Sequence, residues 1–320
     1  MNKSYLILAF ASFLSFFTAC KSTKESTAMS DKMSSMSKEG DALEKSLLWK
    51  ISGKNIKTPS FLYGTIHLIG KDDFFYPKGT LAAFEEAEDV VFEIDMNEMS
   101  DMGSQMGMLQ HVFMSNDTTL KDLLTETDYN LVNTHFSDMG LPMFMLEKFK
   151  PMFLTVFASG DMDMGSLLGG GDQEASTKSY EFEFFELAKE LKKDVSGLET
   201  MEFQMSIFEK IPYSAQAEML VEAIKAEDTG ADSFQEMVVM YKNQDITAMI
   251  NMMDEEAGSM GGYDDILLVE RNKNWIPIIT KMMTNKSVFF AVGAGHLAGK
   301  NGVINLLKKQ GYTLTPLSAM

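Results

Sequence analysis

The feature that most constrains the fold of this chain is an alternation between short β-rich runs and segments whose apolar residues have helical spacing. Six β-rich runs are bounded by turn residues or helical patterns, and they lie at 47–52, 60–67, 89–95, 194–198, 287–293 and 312–317. Helical patterns at 79–88, 181–193, 263–284 and 300–310 precede the last four runs. This order predicts an α/β fold with a mixed, mostly parallel central sheet flanked by helices, while the closely spaced first two runs predict an antiparallel edge.

The segment between 96 and 180 departs from this alternation. It has helical patterns at 118–136 and 146–158 and a glycine-rich stretch at 165–171, which we expect to be a mobile loop. Five methionines crowd the stretch from Met96 to Met108. We therefore predict a Met-rich helical cap inserted at 96–180 into one α/β domain that spans 43–320. Thioethers can bind Cu(I), but flexible apolar filling is the alternative interpretation of the methionines.

Residues 1–19 have the pattern of a bacterial secretion signal. Lys3 precedes an uncharged apolar run at 6–17, which is too short to span a bilayer. Cys20, the only cysteine of the chain, follows a Phe-Thr-Ala tract that resembles a lipobox. We predict cleavage before Cys20 and lipid attachment to its thiol, which places the protein on a bacterial membrane outside the cytoplasm; an ordinary secretory signal is the alternative. The polar stretch 20–42 is predicted to be a flexible tether.

The formal net charge of the chain is −18 at pH 7. Binding to nucleic acid requires clusters of Lys and Arg that neutralise phosphates, and the sequence contains no such cluster, so we expect no nucleic-acid partner. The same charge opposes adhesion to anionic lipid. We therefore expect the N-terminal lipid, and not the protein surface, to hold the chain on its membrane.

Two of the four histidines close a Gly-x-x-His tetrad at the carboxyl end of a predicted strand. His67 closes Gly-Thr-Ile-His, and His296 closes Gly-Ala-Gly-His. In an open α/β sheet, ligands bind beyond the carboxyl ends of the strands, which is where both tetrads fall. A single histidine at a strand end is more often a hydrogen-bonded core residue, but the matched pair favours a functional site. His111 and His135 lie within helical patterns, and we interpret them as structural.

Carboxylate side chains also occur at the carboxyl ends of predicted strands. Glu93 and Asp95 end the third predicted strand on one face, and Glu199 follows the fourth. Two imidazoles and a carboxylate suit an open site for a divalent metal, so we predict His67, His296 and Glu93 as metal ligands. Glu93 or Glu199 is then the candidate general base. The alternatives are a solvent-facing Glu93 and helix-capping roles for Asp95 and Glu199.

Arg271 lies inside the long helical pattern before the fifth predicted strand. Its guanidinium is a candidate to clamp a substrate carboxylate or to stabilise an oxyanion. A salt bridge on the surface is the alternative. The sequence contains neither His-Glu-x-x-His nor Gly-x-Ser-x-Gly, so these two hydrolase signatures do not decide the reaction.

Several segments resemble the TraB/PrgY/GumN family in order and spacing. They are LWKISGKNIKTPSFLYGTIHLIG, DVVFEID, SYEFEFFELAKELKKDVSGLETMEFQ, LLVERNKNW and FFAVGAGHLAGKNGVINLLKKQGYTLTPL. On this resemblance, His67 and His296 match the paired Gly-x-x-His motifs of the family and Glu93 matches its strand-end glutamate. The Glu-Arg-Asn segment of the family matches the tripeptide that contains Arg271.

The resemblance implies a fold related to the erythromycin esterases and the haem-binding ChaN group. Because the family includes the animal Tiki metalloproteases, it also implies a metal-dependent hydrolase that acts on a peptide or protein. It favours Mn²⁺ or Co²⁺ over Zn²⁺ as the metal. A lipoprotein that binds a peptide, haem or metal without turnover is the alternative function.

Overall fold

The computed structural model describes residues 43–54, 56–98, 103, 107, 111–158, 177–256, 263 and 265–317. The six predicted strands form one sheet, whose members are β1 (Leu48–Ser52), β2 (Ser60–Thr65), β4 (Asp89–Ile94), β6 (Asp194–Glu199), β7 (Val288–Gly293) and β8 (Thr313–Pro316). Two short strands that the sequence analysis did not predict, β3 (Ile69–Gly70) and β5 (Thr177–Lys178), pair antiparallel in a second sheet.

The strand order of the main sheet is β6-β4-β7-β2-β1-β8. Strands β6, β4, β7 and β2 are parallel to one another, whereas β1 is antiparallel to both β2 and β8. The predicted mixed, mostly parallel α/β sheet is therefore confirmed. Because the four parallel strands run in one direction, their carboxyl ends, and the residues that follow them, meet at one edge of the sheet.

Eleven α-helices accompany the sheet in the described part of the chain, and their bounds are α1 (Thr80–Glu86), α2 (Leu120–Leu123), α3 (Glu126–Asp138), α4 (Met143–Leu146), α5 (Pro151–Ala158), α6 (Tyr180–Glu190), α7 (Met201–Phe208), α8 (Tyr213–Lys242), α9 (Ile246–Glu256), α10 (Glu270–Met282) and α11 (Val303–Lys309). The helical pattern at 118–136 forms two helices, because Thr125 accepts a hydrogen bond from the backbone of Asp128 and starts α3 as its N-cap. A π-helical turn, Asp265–Val269, leads directly into α10.

The main core lies on both faces of the sheet. Every residue of the central strands β2 and β7 is buried, which explains why both read as nearly continuous apolar runs and not as alternating ones. Helices α2 to α5 pack around a second apolar cluster, to which α8 also contributes, and its members include Leu120, Phe136 and Leu220. No helix among the described residues is both long enough and apolar enough to cross a bilayer.

Two glycines show how the backbone shapes the sheet. A Cβ on Gly197 in β6 would lie only 2.4 Å from the backbone nitrogen of Asp95, so the close approach of β6 to the end of β4 requires glycine here. Gly311 follows α11 with a φ of +91°, the left-handed conformation with which a glycine commonly ends a helix. The predicted signal and tether, Cys20 and the loop at 165–171 lie outside the described residues.

Candidate active site at the carboxyl edge of the sheet

Four parallel strands deliver polar side chains to one edge. His67 follows β2, Glu93 lies near the end of β4, Glu199 ends β6, and His296 closes a short 3₁₀ turn after β7. His67, Glu93 and His296 are all buried, with exposed fractions of 8%, 7% and 3%. Burying this many polar groups together is costly unless they satisfy one another or hold a ligand, so their contacts indicate what the site can do.

Gly293, the last residue of β7, marks the point where the three predicted ligands meet. A Cβ on Gly293 would lie 3.2 Å from Oε1 of Glu93, 3.3 Å from Nε2 of His67 and 3.6 Å from Cδ2 of His296. The backbone N–H of Gly293 donates to Oε1 of Glu93 at 2.8 Å, and that oxygen is 3.7 Å from Nε2 of His296. Residues separated by more than two hundred positions of chain therefore share one small space, which only a residue without a side chain leaves open.

An outer carboxylate holds His67. Its Nδ1 lies 2.7 Å from Oε1 of Glu181, a contact with the distance of an ion pair but without the angle of a good hydrogen bond. Thr65 and Ser179 donate to the two oxygens of Glu181 and fix that carboxylate. Burial lowers the pKa of His67, but Glu181 and, more weakly, Glu93 outweigh burial and raise it above its usual value. The contact through Nδ1 leaves Nε2 of His67 directed at the Gly293 space.

An outer amide holds His296. Its Nδ1 is 2.6 Å from Oδ1 of Asn272, and because an amide oxygen only accepts, Nδ1 carries the proton and Nε2 the lone pair. Asn272 in turn donates to the backbone oxygens of His296 and Asn301. The ring of Trp275 packs on the imidazole with centroids 4.4 Å apart. Burial, Arg271 and His67 lower the pKa of His296 to about 3 despite the nearby Glu93, so this imidazole is neutral.

Arg271 joins the two halves of the site. Its Nη2 contacts Oε2 of Glu93 and Oε1 of Glu199 at 2.5 Å each, and its Nη1 lies 3.1 Å from Nε2 of His296. Burial raises the pKa of Glu93, but Arg271 and the two nearby histidines lower it to about 2. For Glu199 burial outweighs Arg271, and the pKa is raised. Trp275 donates to the remaining oxygen of Glu199 at 2.9 Å, so both of its oxygens are engaged.

The structure thus brings His67, Glu93, Glu199, Arg271 and His296 into one cluster. Arg271 is 1% exposed, so it does not form the surface salt bridge considered as its alternative; its neighbour Glu270 does so, with Lys210. Asp95 accepts a hydrogen bond from the backbone of Asn97 and shapes a turn, in line with the capping alternative. His111 and His135 lie outside the cluster, where His111 pairs with Glu209 and His135 packs on Phe136.

Sequence reasoning missed three residues of the site and assigned no role to a fourth. Glu181, Gln204 and Trp275 received no prediction, and Asn272 entered only through the matched tripeptide. Three of the four carry a weak signal, because Gln204 lies five positions after a strand-end glutamate and Asn272 and Trp275 lie one and four positions after Arg271; Glu181 carries none. Part of the predicted Met-rich cap, at 99–102, 104–106 and 108–110, lies outside the described residues; Met96 and Met114, which are described, are buried in apolar clusters.

The donor atoms of this cluster suit a divalent metal, but the distances between them are not those of a site that already holds an ion. Among the described residues, no group of three His, Cys, Asp or Glu side chains is arranged as a preformed metal centre. The suitability for a metal comes from the type and orientation of the donor atoms. Two imidazoles have their Nδ1 engaged by an acceptor and their Nε2 facing the interior, which is the outer-contact pattern of metal-ligating histidines. A carboxylate oxygen faces the same space.

Comparisons with known proteins found a matching family and several relatives. A model of the TraB/PrgY/gumN family matches residues 47–316. The chain is 24% identical over 315 residues to Metalloprotease TIKI1 of Danio rerio, with 83% of this chain and 62% of the relative covered. It is 21% identical over 347 residues to Metalloprotease TIKI2 of Danio rerio, with 92% and 64% covered, so it spans less than two thirds of either relative. No solved structure matches the chain.

Proposed function

This chain belongs to the TraB/PrgY/gumN family, and we propose that it is a metal-dependent hydrolase of the peptidase class. One observation carries the proposal: Nε2 of His67 and Oε1 of Glu93 face the open space at Gly293, and the ring of His296 borders it. The relatives named metalloproteases support the reaction class and a peptide or protein as substrate. The family resemblance favours Mn²⁺ or Co²⁺ over Zn²⁺.

We assign His67, His296 and Glu93 as the residues that would hold the metal. Their outer partners, Glu181 for His67 and Asn272 for His296, fix the ring orientation that directs Nε2 inward. A bound ion would lower the pKa of a water molecule and polarise the scissile carbonyl. Ligation by His296 would use the lone pair that faces Nη1 of Arg271, so this residue could hold an ion only by giving up that contact.

Arg271 supplies positive charge beside the reacting atoms. Its guanidinium is fixed by bonds from Nε and Nη2 to Glu199, and Trp275 packs under it at 4.9 Å from the ring centroid. Nη1 donates to the backbone oxygen of Leu267 and contacts His296, but it contacts no carboxylate. The N–H of Nη1 that faces His296 is therefore the part of the guanidinium that could stabilise an oxyanion. Since both oxygens of Glu199 are engaged, we assign this residue to positioning Arg271.

Digestion of a peptide library with Mn²⁺, Co²⁺ or Zn²⁺, each with and without chelator, tests the proposal. We expect cleavage that chelator abolishes and that the best metal restores. Gly293→Ala is the informative variant: with a φ of −51° and ψ of 135° the backbone accepts alanine, whereas the new methyl group enters the space between His67 and Glu93. It should fold and lose both metal binding and cleavage. His111→Gln, outside the cluster, is the control and should keep both.

The alternative is a protein that binds a peptide, haem or metal without turnover. The contacts of Arg271 favour it, since the guanidinium neutralises Glu93 and faces the lone pair of His296. Retained peptide binding with no cleavage under any metal would decide for this alternative.

We also propose that the protein is held on a bacterial membrane, outside the cytoplasm, by a lipid on Cys20. The support is the apolar run at 6–17 followed by a lipobox-like tract and the only cysteine of the chain. An exported single cysteine has no intrachain disulfide partner, and lipidation gives it a role.

A further inference from the structure

Gln204 is a buried residue of the site whose hydrogen-bonding capacity the protein does not fill. It lies on the first turn of α7 and is 1% exposed. Its Nε2 donates to Oε1 of Glu199 at 3.0 Å and to Oε2 of Glu93 at 3.4 Å. Its Oε1 is buried, and no group among the described residues donates to it.

The orientation of this amide follows from its neighbours. Both oxygens of Glu93 already accept hydrogen bonds, Oε2 from Nη2 of Arg271 and Oε1 from the backbone N–H of Gly293, so the nitrogen of the Gln204 amide must face this carboxylate. The same holds at the contact with Glu199, because Oε1 of Glu199 accepts from Arg271. If the amide of Gln204 were turned over, its oxygen would face an acceptor oxygen of each glutamate. The unfilled carbonyl oxygen is therefore a fixed feature of the site.

A matched residue shows that the fold can satisfy a buried glutamine completely. Gln216 in α8 is fully buried, and its Nε2 donates to the backbone oxygens of Phe208 and Ile211. Its Oε1 accepts from the backbone nitrogen of Met152. Gln216 therefore joins three backbone groups, whereas Gln204 joins two carboxylates of the site and leaves one acceptor for a ligand.

We propose that Gln204 holds a water molecule beside Glu93 and that this water is the one consumed in hydrolysis. Only a molecule as small as water can reach an atom that is sealed from solvent, and water supplies the donor that a buried carbonyl oxygen requires. In peptide hydrolysis the water oxygen forms the new bond to the acyl carbon, the C–N bond breaks, and one water hydrogen ends on the leaving amine. The amide of Gln204 takes no proton, so it positions the water. This inference rests on the proposed function.

The first test is a crystal structure of the whole mature chain, at a resolution that shows ordered water, for the wild type and for Gln204→Met. We expect a water within hydrogen-bonding distance of Oε1 of Gln204 in the wild type and none at that place in the variant. A dry Oε1, or one that accepts from a protein group, overturns the proposal. This test needs no activity, so it separates the water from the proposed function, which fails if the wild type cleaves no peptide with any metal.

The second test compares Gln204→Met with Gln216→Met, using the peptide and metal that give the fastest wild-type cleavage. Loss of a positioned water should lower kcat of Gln204→Met by about 100-fold, with KM changed by less than about threefold. Gln216→Met should lower the melting temperature and leave kcat of the folded protein unchanged. A kcat loss in Gln204→Met no larger than that in Gln216→Met, or a loss that appears only in KM, overturns the proposal.

Discussion

Arg271→Met tests how the cluster is held together, because it removes the cation shared by two buried carboxylates. The side chains of Glu93 and Glu199 are 8% and 4% exposed, and each makes a contact of 2.5 Å with Nη2 of Arg271. Methionine fills a similar apolar volume but offers no donor. The variant therefore leaves two negative charges with only the bonds from Gly293, Gln204 and Trp275, and with little water to solvate them.

The structure sets the size of the effect. The pKa of Glu93 is lowered from 4.5 to about 2. At about 1.4 kcal/mol per pH unit, this corresponds to roughly 3 kcal/mol of net favourable interaction with the ionised form. Removing one partner of a buried ion pair generally costs about 3–5 kcal/mol. We therefore expect Arg271→Met to lower the free energy of unfolding by about 3–5 kcal/mol at pH 7.

The pH dependence has a definite sign. In the wild type the folded pKa of Glu93 lies below its unfolded value, so its contribution is present above pH 4.5 and is lost as pH falls toward about 2. Without Arg271, burial raises the pKa of both glutamates in the folded state. Their contribution is then greatest at low pH and decreases as pH rises. The stability difference between wild type and variant should accordingly be largest at pH 7 and shrink toward pH 4.5.

Urea unfolding followed by far-ultraviolet circular dichroism, at several pH values from 7 to 4.5, measures this difference. Tryptophan fluorescence is less suitable, because Trp275 contacts the substituted side chain. Lys210→Met is the control: it breaks the exposed pair with Glu270 and should cost under about 1 kcal/mol at each pH. A penalty for Arg271→Met as small as that of the control, or one independent of pH, would refute the reasoning.

Three further predictions follow from particular residues. Glu181→Gln removes the outer carboxylate of His67, and metal affinity measured by calorimetry should fall by about 10–100-fold; an unchanged affinity would argue against His67 as a ligand. Gly197→Ala should prevent soluble expression, since its Cβ meets backbone at 2.4 Å, whereas Gly79→Ala, with φ +89° and open space around it, should cost only about 1 kcal/mol in thermal unfolding. Cys20→Ser should move the protein from the membrane to the soluble fraction, and continued membrane association would contradict lipidation.

The strands and most helices could be predicted from the sequence, because apolar periodicity is a local property that the final packing preserves. The six predicted strands and the direction of the four parallel ones follow from alternation with helices. The same logic selected His67 and His296, since a residue that follows a parallel strand must lie at the carboxyl edge whatever the rest of the chain does. The turn at Thr125 was missed, because a single side-chain cap decided it against a continuous helical pattern.

What the side chains do at that edge was decided only by the tertiary structure. The sequence around Arg271 is compatible with a surface ion pair and with a site residue. The structure decides between them, because packing buries Arg271 between Glu93 and Glu199, which are 178 and 72 positions away. Glu181 acquires its role through its contact with His67, and Thr65, 116 positions away, donates to the same carboxylate and fixes it. Such contacts leave no local pattern, because they depend on which faces of α6 and α10 turn toward the sheet. Sequence periodicity places a residue on an element, whereas the packing of elements determines which polar atoms have to satisfy one another.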